Sequence, residues 1–133
     1  MSKEIEVFMR ACRTGNVEKI SRALEKGIDV DCRDENKLTG LIWAGRKGKI
    51  ESAIVLLDAG ADLENGDNRN RTSLFHAVTY DRQDYIKYLV SKGADVNVTD
   101  THGWSPLDFA ESSQFEQMAA LLVELGGVSS KNA

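Results

Sequence analysis

The stretch that decides the fold is DNRNRTSLFHA at residues 67–77, because close variants of it stand 33 residues before and after it. They read DENKLTGLIWA at 34–44 and DTHGWSPLDFA at 100–110. Each begins with Asp, has Thr or Ser five residues later, and continues with Leu and Ala. A glycine column with the same period contains Gly27, Gly60, Gly93 and Gly126. Agreement at so many positions predicts a stack of structural repeats.

Each unit of the period contains the pattern of two short helices. In residues 67–99, a polar turn precedes Thr72, whose hydroxyl is a good helix N-cap, and an apolar stretch with helical spacing follows. A second amphipathic stretch runs from Tyr85 to Val90, and Gly93 ends it in the left-handed conformation that glycine favours. One such pair cannot bury its own apolar face, so neighbouring pairs must stack.

The predicted fold is therefore an all-α solenoid of stacked helix-turn-helix units with short β-turn fingers. We expect one domain over residues 1–133, with repeats at about 1–33, 34–66, 67–99 and 100–128 and a polar tail at 129–133. The first and last units are degenerate and carry polar residues, as terminal caps of a short solenoid do. We also expect a monomer.

Two sets of apolar residues are expected to hold the stack together. Small residues let the first helices of successive units approach closely, at Ala44, Ala77 and Ala110. Larger residues are expected to pack between successive second helices, at Leu56-Leu57, Leu89-Val90 and Leu122-Val123.

These motifs resemble the ankyrin repeat. The segments 72–77 and 105–110 are similar to its threonine-proline-leucine-histidine turn leading to alanine, and 60–64 and 93–97 resemble the loop that closes a repeat. The resemblance covers almost the whole chain. Some positions depart from the family pattern. Its histidine position contains Ile42, Phe75 and Asp108, and Lys37 stands where the family prefers glycine.

Composition narrows the class of protein. The chain has 17 Lys and Arg against 21 Asp and Glu, a formal charge of -4, which argues against a general nucleic-acid binder. No apolar run approaches the roughly 20 residues of a membrane span, and the first residues lack the pattern of a secretory signal. Two cysteines without metal spacing favour a reduced, cytoplasmic protein.

No set of residues predicts catalysis. His76 and His102 lack metal-ligand spacing and are interpreted as polar surface side chains, while Cys12 is interpreted as a small core residue. Phosphate-binding glycine motifs are absent from the sequence. We therefore expect no enzymatic activity, no cofactor and no metal.

The resemblance also implies where a partner binds, since ankyrin repeats usually dock partners on the concave side, at the fingers and the ends of the inner helices. The partner-binding residues carried over from the family pattern are Arg13, Arg33, Leu38, Trp43, Arg46, Lys47, Arg69, Arg71, His76, Tyr80, His102, Trp104, Ser112 and Ser113. Trp43 has an alternative interpretation as a residue that fills the groove between repeats.

The exposed positions on this side are basic, although the chain is acidic. They contain six basic residues and one acidic residue, Glu35, a balance of +5 that leaves -9 for the remainder. The predicted function is non-catalytic protein binding through a concave, locally basic face, by occlusion or as an adaptor, to a partner with an acidic patch. The alternative is a nucleic acid or another polyanion bound by the same strip.

Overall fold

The computed structural model describes residues 2–130, which form eight helices arranged as four pairs. The helices are α1 Lys3–Thr14, α2 Val17–Glu25, α3 Gly40–Lys47, α4 Ile50–Asp58, α5 Ser73–Thr79, α6 Gln83–Ser91, α7 Pro106–Ser112 and α8 Glu116–Glu124. The first helices of the pairs, α1, α3, α5 and α7, pack side by side in chain order, and the second helices form a layer behind them. This arrangement confirms the predicted all-α solenoid. Over residues 2–130, no helix is both long enough and apolar enough to cross a membrane.

Hydroxyl side chains start the first helix of every pair. Ser2, Thr39, Thr72 and Ser105 each accept a hydrogen bond from the backbone N–H three residues later. Such a bond satisfies one of the donors that a helix N-terminus leaves free. The expected N-cap role of Thr72 is confirmed, and its equivalents Thr39 and Ser105 have the same role. Ser2 caps α1 four residues before the equivalent position of the first repeat.

The fingers are the turns that precede α3, α5 and α7, at residues 34–39, 67–72 and 100–105, and each is closed by its first aspartate. Asp34 Oδ1 accepts from the backbone N–H groups of Asn36 at 2.9 Å and Leu38 at 3.1 Å. Asp67 and Asp100 make the equivalent pairs of bonds in the next two fingers. The Asp column thus closes the fingers from within, because a carboxylate can bond to backbone donors a few residues along the chain.

Lys37 adopts the conformation that glycine has at the equivalent place. Its φ is 67°, against 79° at Gly103, and the backbone N–H of each donates to the finger aspartate's carbonyl. The first finger therefore has the same turn as the others, although Lys37 departs from the family pattern.

Replacing Lys37 by glycine is expected to stabilise the protein. A residue with a Cβ loses about 1–2 kcal/mol in the left-handed region, while glycine's greater freedom in the unfolded chain offsets about 0.4–1 kcal/mol. We expect a net gain of roughly 0.5–1 kcal/mol in the free energy of unfolding, measured with urea. The reverse change, Gly103→Lys, should destabilise. A less stable Lys37→Gly variant would contradict this account of the finger.

The middle of the stack contains a polar contact that only a glycine permits. The Tyr85 hydroxyl lies 2.8 Å from Ser73 Oγ and donates to the Leu41 carbonyl at 3.1 Å. A Cβ at Gly45 would lie 2.7 Å from the Ser73 carbonyl oxygen, so α3 and α5 could not approach as closely. Burial raises the pKa of the Tyr85 hydroxyl, which therefore stays protonated and able to donate.

The apolar residues expected between the second helices differ in burial, and one of them is exposed. Leu56 and Leu89 are fully buried, but Leu57 is only half-buried. Val123 is 59% exposed, because no helix covers α8 within residues 2–130. Cys12 has no exposed surface and is a core residue, as expected. Burial raises the pKa of its thiol, which therefore remains protonated.

The expected polar tail folds back at its start. Ser129 Oγ and Ser130 Oγ donate to the buried carboxylate of Asp108 at 2.5 Å and 2.6 Å. Burial alone would raise the pKa of Asp108, but these bonds and those of Ser105 hold it well below its usual range. Residues 129–130 therefore pack against α7 rather than extending into solvent; the rest of the predicted tail, 131–133, lies outside the described residues.

Candidate functional site

Four of the predicted partner-binding residues form a continuous stack across the first helices of three pairs. The Arg13 guanidinium lies over the Trp43 ring, 5.2 Å from its centroid, and Arg46 lies over the same ring at 4.6 Å. Arg46 also lies over the Tyr80 ring at 4.9 Å. We call Arg13, Trp43, Arg46 and Tyr80 the arginine–aromatic ladder. Each cation–π contact of this kind contributes about 0.5–1 kcal/mol at exposed sites and more when desolvated.

Hydrogen bonds fix the ladder to the scaffold. Trp43 Nε1–H donates to Asp34 Oδ2 at 2.8 Å, which ties the ring to the base of the first finger. Arg46 donates to the Tyr80 hydroxyl. Its backbone carbonyl accepts from Arg82 Nε at 3.0 Å. The Trp43 ring thus packs between repeats, as its alternative interpretation expects, and it also supports two arginines.

Within residues 2–130, the Arg46 guanidinium lies against aromatic rings and not beside a carboxylate. Among the described residues Arg46 forms no salt bridge, and its Nε has no hydrogen-bond partner. The face of an aromatic ring attracts a cation but carries no formal charge, so it does not neutralise it. The guanidinium therefore keeps its full positive charge beside the exposed ring of Tyr80.

His76 is not the surface side chain expected from sequence. Only 12% of its side chain is exposed, and its Nε2 lies 2.8 Å from Asp67 Oδ2. It occupies the position of Trp43 one repeat later and makes the same tie to a finger aspartate. Burial, then the nearby charges of Arg46 and Arg71, lower the pKa of His76, against the opposing effect of Asp67.

The burial of His76 beside Asp67 predicts that the protein loses stability in mild acid. Because the folded pKa of His76 is lower than its ordinary value of 6.5, the unfolded chain takes up the proton first as the pH falls. The effect of His76 protonation on the free energy of unfolding is therefore absent above about pH 6.5 and destabilises the protein below it. We expect the free energy of unfolding of His76→Gln to fall less between pH 7.5 and 5.5 than that of the wild type. His102→Gln is the control, and equal pH dependence of all three proteins would contradict the assignment.

Arg71 links two neighbouring fingers in addition to being a candidate partner-binding residue. Its Nε and one terminal nitrogen donate to Asp100 Oδ2 at 3.1 Å and 2.9 Å, and its guanidinium lies over the Phe75 ring. Burial alone would raise the pKa of Asp100, yet the bonds from Trp104, Arg71 and His102 lower it. The Arg71 charge is consequently compensated by a buried carboxylate, unlike that of Arg46.

The remaining predicted residues differ in exposure. Leu38 is 5% exposed, so its expected exposure is wrong: the finger turn directs it into the core while Asp34 binds its backbone. Arg33 donates to the Lys37 carbonyl and to Asn65 of the next loop. Exposed residues are Lys47, Arg69, His102 and Ser112, and half-buried ones are Trp104 and Ser113.

The finger aspartates change the charge of this face. Each finger aspartate contacts one side chain of this face. Asp34 binds Trp43, Asp67 binds His76 and Asp100 binds Arg71. The charge balance of +5 did not count these aspartates. When they are included, the face contains six basic and four acidic residues. Within residues 2–130, Arg71 is paired with Asp100, whereas the other five basic residues form no salt bridge.

The described part of the chain contains no group of three or more His, Cys, Asp or Glu residues placed to hold a metal ion. No curated protein matches the chain significantly. A family model described as ankyrin repeats (3 copies) matches residues 8–100 and 65–132. With helix pairs, fingers and an almost complete family match, the chain belongs to the ankyrin-repeat family, whose members are generally protein–protein interaction modules and typically not enzymes.

Proposed function

We propose that this protein binds a protein partner through the face formed by its fingers and first helices, with the arginine–aromatic ladder at the centre of the contact. Binding acts by occlusion or by bringing two partners together, without catalysis. The single observation that carries the proposal is the ladder, which places an arginine without a carboxylate partner between two rings on the side where ankyrin repeats usually dock.

The ladder has the chemistry of a binding hot spot. Arginine, tryptophan and tyrosine are the residue types that dominate the binding energy of protein interfaces. Tyr80 is 43% exposed, so its ring can contact a partner while its hydroxyl stays bonded to Arg46. Contacts within the ladder fix its side chains before a partner arrives, which lowers the entropy lost on binding.

Charge on this face favours a partner with an acidic patch. Lys47 follows Arg46 at the end of α3 and is exposed, and Arg69 is exposed on the next finger. An acidic surface would be attracted to these groups from a distance and oriented by them. Salt would weaken the attraction, because exposed charges are screened beyond roughly 10 Å at 0.1 M.

Charge reversal tests the direction of this attraction. We expect Lys47→Glu with Arg69→Glu to slow association with the partner at low salt, with a smaller effect at high salt. Arg71 is left unchanged because its loss would also expose Asp100. A matched variant, Lys87→Glu on α6 with Lys92→Glu at its C-terminal cap, makes the same change in charge on the second-helix layer. Equal association rates for both variants would contradict the proposed face.

The partner for these measurements comes from affinity purification from the native cell, followed by mass spectrometry. Tyr80→Ala or Trp104→Ala should chiefly speed dissociation, since apolar contacts are not screened by salt. Unchanged dissociation of both variants would remove the aromatic part of the proposal.

A nucleic acid is the weaker candidate for the same face. Phosphate backbones need several uncompensated cations along a groove. Here Arg71 is paired with Asp100, and the net charge of the chain is -4. Binding of unrelated oligonucleotides with a steep salt dependence would favour this alternative over a protein partner.

A further inference from the structure

Within residues 2–130, the first and the last helix pair carry opposite charges at positions that pack between pairs elsewhere in the stack. At the first pair, α1 and α2 border a groove of about 570 Å³ with an apolar floor that includes Val7 and Ala23. Four basic residues and one acidic residue, Glu4, also line it; the basic ones are Lys3, Lys19, Arg22 and Lys26. We call this surface the N-terminal face. Val7 is 44% exposed there, although its equivalents in later repeats pack against a preceding pair.

At the other end, the last pair exposes an apolar side chain and two carboxylates. Val123 is 59% exposed, and its equivalents Leu24, Leu57 and Val90 are half-buried against the core. Glu111 on α7 and Glu124, which follows Val123 on α8, are exposed as well. We call Glu111, Val123 and Glu124 the C-terminal face.

The internal interfaces show which residues of the two faces would meet. Ser52 Oγ donates to the Cys12 carbonyl at 2.7 Å, and in the next interface the Tyr85 ring lies 3.2 Å from where a Cβ of Gly45 would stand. Lys19 is 33 residues before Ser52, and Glu111 is 66 residues after Gly45. The same register therefore places Lys19 against Glu111 of a second copy.

A second contact in this register gives the same charge pattern. The second helices α4 and α6 contact each other. Burial and then the charge of Asp58 at the end of α4 raise the pKa of Tyr88 on α6. Arg22 and Glu124 are the equivalents of Tyr88 and Asp58 at the ends of the stack. Arg22 already contacts Glu18 at 3.2 Å, but both side chains are largely exposed, and such pairs contribute little. Glu18 would itself meet the neutral Gln114, since its equivalent Glu51 lies beside Gly15.

We propose that the N-terminal face of one copy binds the C-terminal face of a second copy, so that the chain associates head to tail. Lys19 pairs with Glu111 and Arg22 with Glu124, while Val7 and Val123 lose contact with water. A monomer is the expectation from the sequence, but polar caps keep copies apart only when their charges repel or do not match. Because the interface is heterologous and does not close on itself, association continues to short linear oligomers.

Sedimentation velocity at low salt tests this inference with the full chain. The weight-average mass of the wild type should rise with protein concentration and return to that of the monomer at high salt. Lys19→Glu with Arg22→Glu, or Glu111→Lys with Glu124→Lys, should each lower the association constant by at least about tenfold. Lys87→Glu with Lys92→Glu, both in the third helix pair, should associate as the wild type does.

Mixing the two end variants gives the sharpest outcome. Each alone carries like charges on both of its faces, whereas a mixture offers one native and one charge-swapped interface. The mixture should therefore regain the association that each variant has lost. All four positions are exposed, and unfolding curves check that the variants remain folded. A wild type that stays monomeric at every concentration at low salt, or end variants that associate like the wild type, would overturn the inference.

Discussion

Leu89→Ala is expected to lower the free energy of unfolding by roughly 2–5 kcal/mol, the cost of removing a buried leucine side chain and leaving a cavity. Leu89 is fully buried in α6, in the same cluster as the apolar residues of the other pairs. Total stability of a domain is commonly about 5–15 kcal/mol, so this single change can leave a substantial unfolded population. Urea unfolding followed by circular dichroism measures the effect.

Leu57→Ala is the matched control for Leu89→Ala. Leu57 is the same residue type on the neighbouring second helix, but it is only half-buried. It should cost clearly less, because fewer contacts are lost and the cavity is open to water. A loss below about half a kcal/mol for Leu89→Ala would show that the core is held elsewhere.

Arg46→Ala is expected to cost at least about 2 kcal/mol of binding free energy, the range of an interface hot spot. The change removes the cation that Trp43 and Tyr80 share, so both rings lose their common support. Arg46→Lys should recover part of the loss, because lysine keeps the charge but lacks the flat guanidinium that stacks between rings. Isothermal titration with the purified partner measures both variants.

Tyr80→Phe separates the ring from its hydroxyl in the same experiment. It keeps the cation–π surface and removes only the hydrogen bond from Arg46. We expect a smaller loss of affinity than for Arg46→Ala. If Arg46→Ala binds as tightly as the wild type while remaining folded, the ladder is only a structural feature.

Much of the fold could be predicted from the sequence because the same helix-capping and turn residues recur in successive repeats. Thr39, Thr72 and Ser105 are helix caps in every case, and the glycine column ends second helices by adopting positive φ. Burial at the ends was less predictable, as Val123 shows. Its column is apolar throughout, but only a following helix pair would bury it.

The candidate site was predictable as a set of positions but not as an arrangement. The family pattern identified Arg13, Trp43, Arg46 and Tyr80 separately, yet their stacking depends on side-chain directions across three repeats. The finger aspartates were missed as partners of the site, although one signal was present. Asp34 and Asp67 stand nine residues before Trp43 and His76, the two side chains that they bind.

Site-specific photocrosslinking in the native cell tests the central claim most directly. A photoreactive residue replaces either Lys47 at the end of α3 or Lys87 on α6, two exposed lysines on opposite layers. We predict that position 47 crosslinks to a protein partner, that position 87 does not, and that Arg46→Ala abolishes the crosslink. Crosslinking from position 87 alone, or a crosslink at 47 that survives Arg46→Ala unchanged, would contradict binding through the arginine–aromatic ladder.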